Sequence, residues 1–146
     1  MIITKSREEI ALMREAALVV SKTLGMLAKE VKVGVTTNEL NTMAETYIRE
    51  QDAIPGFLGL YDCPSTLLTS VNEAIVHGLP TDIPLKEGDI VSIDCGAIKH
   101  GFYGDHAYTF EVVEVAQETK KLLQVTKESL YVGIEQLKTG NRVGDV

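Results

Sequence analysis

Three side chains in this sequence have types and spacing suited to chemistry: Asp94, Asp105 and His77. The two aspartates lie in "SIDCGAIKHGFYGDHAYTF", residues 92–110, a stretch with the alternation and central turn of a β-hairpin. Strands disfavour aspartate, and like charges facing each other across a hairpin are destabilising. A turn through Lys99-His100, with Ile98 paired to Gly101, puts Asp94 directly opposite Asp105. Their Cβ atoms then lie about 4.5–5.5 Å apart. Two such carboxylates in a partly buried sheet cannot both ionise cheaply, so either one keeps a proton or a cation lies between them. A divalent ion with oxygen ligands satisfies the second option. Changing the turn by one residue would instead send the acids to opposite faces.

The same register sorts the hairpin. Val91, Ile93, Cys95 and Ala97, with Phe102, His106, Tyr108 and Phe110, form a core face. Ser92, Asp94 and Gly96, with Tyr103, Asp105, Ala107 and Thr109, form the floor of a cleft, where the small residues leave room. His77 sits in the loop "NEAIVHGLP", and a neutral imidazole there could donate to a substrate, act as a base or bind metal. His100 reads as solvated at the turn, and His106 as a hydrogen-bonded structural histidine on the core face. Cys63 reads as a small pocket-lining residue, because the sequence places no base beside it.

The elements that must hold these groups are signalled locally. Ser6 and Glu9 form a capping box, followed by apolar residues at helical spacing: Ile10, Met13, Ala17, Val20, Leu24, Leu27 and Val31. Gly34 ends that helix. Thr36 to Glu39 caps a second, with Leu40, Met43, Ala44, Tyr47 and Ile48 on one face. Pro55 and Gly56 open a long irregular segment, "TLLTSVN" reads as a short strand, and Gly88-Asp89 as the turn before the hairpin. Helical spacing returns from Ala116 to Leu137. "VKVGVTTNEL" (31–40) and "LKTGNRVGDV" (137–146) share a pattern, each behind an amphipathic helix, which is a hint of internal duplication.

The chain has 146 residues, enough for a real core. Its formal net charge of -7 argues against a phosphate-backbone binder and leaves room for a cation site. Two cysteines without CxxC spacing, no signal-peptide pattern and no apolar run of membrane length give a soluble, cytoplasmic expectation with no membrane partner.

"NEAIVHGLP" followed by "GDIVSIDCGAIKHGFYGDHAYTF" resembles the type I methionine aminopeptidases. "VKVGVTTNEL" and "ESLYVGIEQLKTG" fit the same family in order and spacing. The resemblance implies an α/β pita-bread fold with antiparallel sheet and amphipathic helices, whose halves are related by a pseudo-twofold. It implies removal of N-terminal methionine from peptides and nascent proteins, with two divalent ions (Co, Mn, Fe or Zn) per complete active site. Asp94 would chelate one ion and Asp105 bridge both, while His77 would contact the substrate near the scissile amide. Phe57, Leu60, Cys63 and Leu68 would line the methionine side-chain pocket, although members of the family often carry tyrosines where Leu60 and Cys63 stand. The family's other ligands, one histidine and two glutamates, belong to a second half. The expectation is therefore a single domain over 1–146 that forms the first half of the fold. It would bind metal weakly and be inactive alone, and it would self-associate where the complete protein is a monomer. A non-catalytic module on the same fold and a proline-specific relative are the competing readings.

Overall fold

The computed structural model describes residues 3–146. They form two compact units, one running to Glu114 and the other Val115–Val146. The first begins with helix α1 (Arg7–Leu27), whose N-terminus carries the expected capping box. The Glu9 backbone N–H donates to Ser6 Oγ at 3.2 Å, and the Ser6 N–H donates to Glu9 Oε2 at 2.7 Å. Ala16, Val19, Val20, Thr23, Leu24 and Leu27 make its buried stripe. The stripe is rotated from the sequence expectation: Ala17 and Ile10 are exposed, and Ala16 takes the core position. Helix α2 (Thr37–Glu50) repeats the capping box with Thr36 and Glu39 and buries Thr37, Leu40, Ala44 and Ile48.

The sheet is antiparallel throughout. Strand β1 (Ile54–Pro55) and β2 (Leu67–Val71) pair with opposite ends of β3 (Ile90–Lys99), and β4 (Phe102–Glu111) pairs with its full length. Because β4 occupies one edge of β3 from end to end, β1 and β2 share the other edge. Val91, Ile93, Cys95 and Ala97 are fully buried and join the stripes of α1 and α2 in one core. Complete burial of each large aliphatic side chain in it, such as Leu27, Leu40 or Ile93, contributes about 1.5–3 kcal/mol.

The hairpin register differs from the expected one. Lys99 pairs with Phe102, so the turn is His100-Gly101, with φ of 53° and 79°. Positive φ at both central residues of a two-residue turn matches the right-handed twist of the strands, and glycine adopts it without strain. The shift is two residues, so both faces keep their membership and only the partners change. Asp94 lies opposite Ala107, and Asp105 opposite Gly96. The two aspartates are diagonal neighbours rather than a direct pair.

The β4 core face is also corrected. His106 is exposed, and Tyr108 is 46% exposed. The buried position on this strand is Gly104, where a Cβ would come within 2.6 Å of the Ala16 backbone. Helix α1 thus lies against β4 at its glycine and leaves His106 outside. His100 is at the turn as expected, with its Nε2 2.9 Å from Glu15 Oε2.

The second unit holds α3 (Gln117–Glu135) and a short 3-10 turn, Val143–Asp145. Its end repeats the local geometry that follows α1. Gly34 and Gly140 both have positive φ, 90° and 99°. The Thr36 N–H donates to Glu39 Oε2 at 2.8 Å, and the Arg142 N–H donates to Asp145 Oδ2 at 2.7 Å. The duplicated sequence pattern therefore has a duplicated backbone conformation.

Close approach at Gly104 makes Gly104→Ala costly. It should lower stability in urea unfolding by about 1–3 kcal/mol, since backbone rather than a movable side chain blocks the new methyl. Gly25→Ala, within α1 and open on all sides, should instead raise stability by about 0.5–1 kcal/mol. Equal effects at the two positions would contradict the packing described.

Candidate metal and peptide site

The site face of the sheet is the set of residues that the core does not use. Paired residues of an antiparallel ladder point to the same side, so the face runs Leu68 and Ser70 on β2, Ser92, Asp94 and Gly96 on β3, and Asp105, Ala107 and Thr109 on β4. Ser92 and Thr109 join their hydroxyls across it at 2.8 Å. Leu68 is the direct cross-strand partner of Asp94, so an apolar side chain flanks the carboxylate.

Asp94 is half-buried, and its Oδ1 is buried without a hydrogen-bond partner among the described residues. Burial raises its pKa above the ordinary aspartate value, and the charge of Asp105 and a hydrogen bond to Asp105 raise it further. The charge of His77 opposes the rise. These interactions bring together, within electrostatic reach, the three residues that the sequence singled out. On the other side of β3, burial pushes the Cys95 thiol up to about 12, helped by the negative field of Asp94 and then Asp105. That thiol is an inert core group.

His77 owes its place to two clamps. At the start of its loop, Asn72 adopts φ 52°. Its Nδ2 donates to Asp89 Oδ1 at 2.9 Å, and the Ile90 N–H donates to Asn72 Oδ1 at 3.0 Å. The bond from Asn72, then one from the Lys86 backbone, hold Asp89 below the usual carboxylate range. At the loop's end, the Thr69 N–H donates to the Gly78 carbonyl at 2.7 Å, and the Gly78 N–H donates to Ser70 Oγ at 3.2 Å. A side chain at Gly78 would collide with the Thr69 carbonyl, so glycine is required there. His77 itself has φ 59° and is exposed.

Phe57 covers Gly96. A Cβ on Gly96 would fall 2.7 Å from Phe57 Cε1, so the ring lies on the site face where a side chain would otherwise stand. The bond from the Gly56 N–H to the Gly96 carbonyl, 2.8 Å, fixes the segment that carries the ring. Phe57 and Leu68 therefore both border the acid pair. Leu60 and Cys63 lie on the adjoining loop, which closes on itself through the Gly59 N–H to the Cys63 carbonyl at 2.8 Å. Leu60 is 42% exposed, and the Cys63 thiol donates to the Ser65 carbonyl at 3.5 Å. Sequence reasoning missed the Ser70 clamp and the stacking of Phe57 on Gly96. A glycine inside a strand is the signal that announces such a close approach.

Among the described residues, no group of three or more His, Cys, Asp or Glu side chains is arranged to hold a metal ion. The pair nevertheless suits a cation in part. Carboxylate oxygens are the donors that hard divalent ions take, and the orphaned Asp94 Oδ1 lacks the partner a buried oxygen needs.

The sequence profile of metallopeptidase family M24 matches residues 11–146, nearly the entire chain. The chain belongs to metallopeptidase family M24. It is 47% identical to a methionine aminopeptidase of Clostridium acetobutylicum and 44% identical to methionine aminopeptidase 1 of Bacillus subtilis, with all of this chain covered in each case. The crystal structure of methionine aminopeptidase from Rickettsia prowazekii superposes with a TM-score of 0.90 at 39% identity, covering 92% of this chain and 54% of that one. The chain spans about 59% of the length of the two curated relatives. The M24 fold accounts for the α/β architecture with its antiparallel sheet. Among the described residues no helix is long and apolar enough to cross a membrane.

In the metal-free chain the acid pair is a source of instability with a definite pH signature. A carboxylate whose folded pKa is raised binds protons more tightly when folded, so stability rises as pH falls through the raised value towards the ordinary 3.8. Asp94→Asn, measured in EDTA, should raise the melting temperature at pH 7–8 by a few degrees. The advantage should shrink as pH falls through that window. A melting temperature that drops at neutral pH would contradict the assignment of Asp94 as a strained, charge-repelled group.

Proposed function

We propose that these residues belong to a methionine aminopeptidase, a hydrolase that removes N-terminal methionine from peptides and nascent proteins, and that this chain supplies the first half of its duplicated fold. The observation that carries the proposal is the unpartnered Asp94 oxygen beside Asp105 on one sheet face bordered by Phe57 and Leu68, with the His77 loop within electrostatic reach of Asp94.

Asp94 and Asp105 would hold divalent metal on this side of the site. A bound divalent ion supplies Lewis-acid polarisation of a carbonyl and lowers the pKa of water enough to make a nucleophile at neutral pH. The chain's own residues do the rest. The Phe57 ring and Leu68 present apolar walls to an unbranched thioether side chain, with Leu60 and Cys63 extending that lining along the loop. Thioethers pack well against aromatic edges, so a phenylalanine wall suits methionine. His77, exposed at the loop and near the Asp94 charge, would hydrogen-bond the amide that is cleaved. The His77 loop stays in register because Asn72 and Ser70 fix both of its ends.

Two carboxylates do not make a complete site, and the additional histidine and two glutamates implied by the family resemblance come from the second half. On this reading the isolated chain binds Mn(II) weakly and releases no methionine from a Met-Ala-Ser peptide. Calorimetric titration with Mn(II) should give saturable binding that Asp94→Asn or Asp105→Asn removes. Unchanged binding in both variants would overturn the site assignment, and the non-catalytic module would replace it.

In a chain extended to the relatives' length, His77→Ala should lower kcat for the same peptide by about 10²-fold while leaving Mn(II) affinity within about threefold. Loss of metal affinity instead would make His77 a ligand. An unchanged kcat would remove it from the chemistry.

A further inference from the structure

The outer surface of the helical layer carries a groove of about 570 Å³ that the peptidase chemistry does not use. It runs between the end of α1 and the exposed side of α2. The buried stripe of α2 (Leu40, Ala44, Ile48) faces the core, whereas the groove is formed from the intervening positions. Because the core lies on the odd-numbered face of β3 and the acid pair on the even-numbered face, the groove and the acid pair are on opposite sides of the sheet.

The floor is apolar: Met26, Met43 and Tyr47 are only partly buried, with Met43 36% exposed. Methionine is unbranched and polarisable, so such a floor accepts side chains of varied shape. The rim is acidic, with Glu39, Glu50 and Asp82, and among the described residues no Lys or Arg lines the groove. Lys32, whose charge reaches Glu39, already forms an ion pair with Glu30 at 3.5 Å. The remaining polar lining is spent in one direction. Thr42 and Thr46 donate their hydroxyl protons to helix carbonyls at 3.0 Å, and Asn38 donates its amide to Asp82 at 2.7 Å. The outward-facing atoms are therefore mostly acceptors around an apolar floor.

We propose that this groove docks a basic protein segment, one that presents Lys or Arg to Glu39, Glu50 and Asp82 and seats a long apolar side chain on Met26, Met43 and Tyr47. Charge complementarity selects the cationic partner, and the thioether floor selects a peptide over a bare cation. The segment would bind on the side of the sheet away from Asp94 and Asp105.

The test is fluorescence anisotropy with a labelled, N-acetylated lysine–leucine peptide whose leucines recur at helical spacing. Acetylation removes the free amine that an aminopeptidase site would recognise, so failure here is separable from failure of the peptidase reading. Saturable binding is expected. Glu50→Lys, on an exposed end of α2, should weaken it about tenfold, and Glu50→Lys with Asp82→Lys further still. Replacing leucine by alanine in the peptide should cost a similar factor. Glu87→Lys, the same charge change outside the groove, should leave affinity unchanged. The proposal is overturned if Glu87→Lys weakens binding as much as Glu50→Lys, if the alanine peptide or spermine binds equally well, or if no saturable binding occurs. Circular dichroism of each variant separates lost binding from lost folding.

Discussion

Two carboxylates held on one face of a short hairpin repel each other, and much of the surrounding structure keeps them there nonetheless. The His100-Gly101 turn sets the register that makes Asp94 and Asp105 diagonal neighbours. A slip of one residue would move one acid into the core face. Close contact between Gly104 and the Ala16 backbone seats β4 on α1, so the hairpin cannot slide. On the site face, Phe57 fills the space over Gly96 and Leu68 stands beside Asp94, which removes water from the inner carboxylate. The result is a buried oxygen without a partner, an arrangement that a folded chain stabilises only when something else completes it.

The division of labour within β3 follows from the pleat. Its odd-numbered residues close the core against α1 and α2, and its even-numbered residues are left for chemistry. Destabilisation on one face is offset by close packing on the other. The hairpin therefore keeps its acids without losing its fold. The clamps on the His77 loop extend the same logic: Asn72 and Ser70 use hydrogen bonds to sheet positions to fix a segment whose Ile75 and Val76 side chains are exposed. The matched turns after α1 and α3 give a local structural counterpart to the repeated sequence pattern, and the chain spans about 59% of its relatives' length.

Much of this was legible in the residues. Both capping boxes were readable because they depend on contacts three residues apart, and the face assignment survived because alternation has a period of two. The register expected from a Lys99-His100 turn differs from the observed one by two residues, because Gly101 is the residue that tolerates the required positive φ. His106 fell outside the core because burial on β4 depends on where α1 crosses it, and Gly104, not the aromatic pattern, determines that crossing. The choice of Ala16 over Ala17 has the same origin, since a helix with apolar residues on adjacent positions can be rotated by its partner. The three candidate residues stand out by their types and spacing, but the position of the His77 loop depends on the Asn72 and Ser70 clamps, which local patterns do not announce.

The most direct measurement of the central claim is an NMR titration of the isotopically labelled chain with Mn(II), reading paramagnetic broadening residue by residue. The account predicts that resonances of Asp94, Gly96, Asp105 and His77 broaden first, at a metal concentration well below that affecting Glu30, Glu87 or Glu118. Broadening that begins at those surface acids, or that spreads evenly over the chain, would show that the aspartate pair is not a cation site.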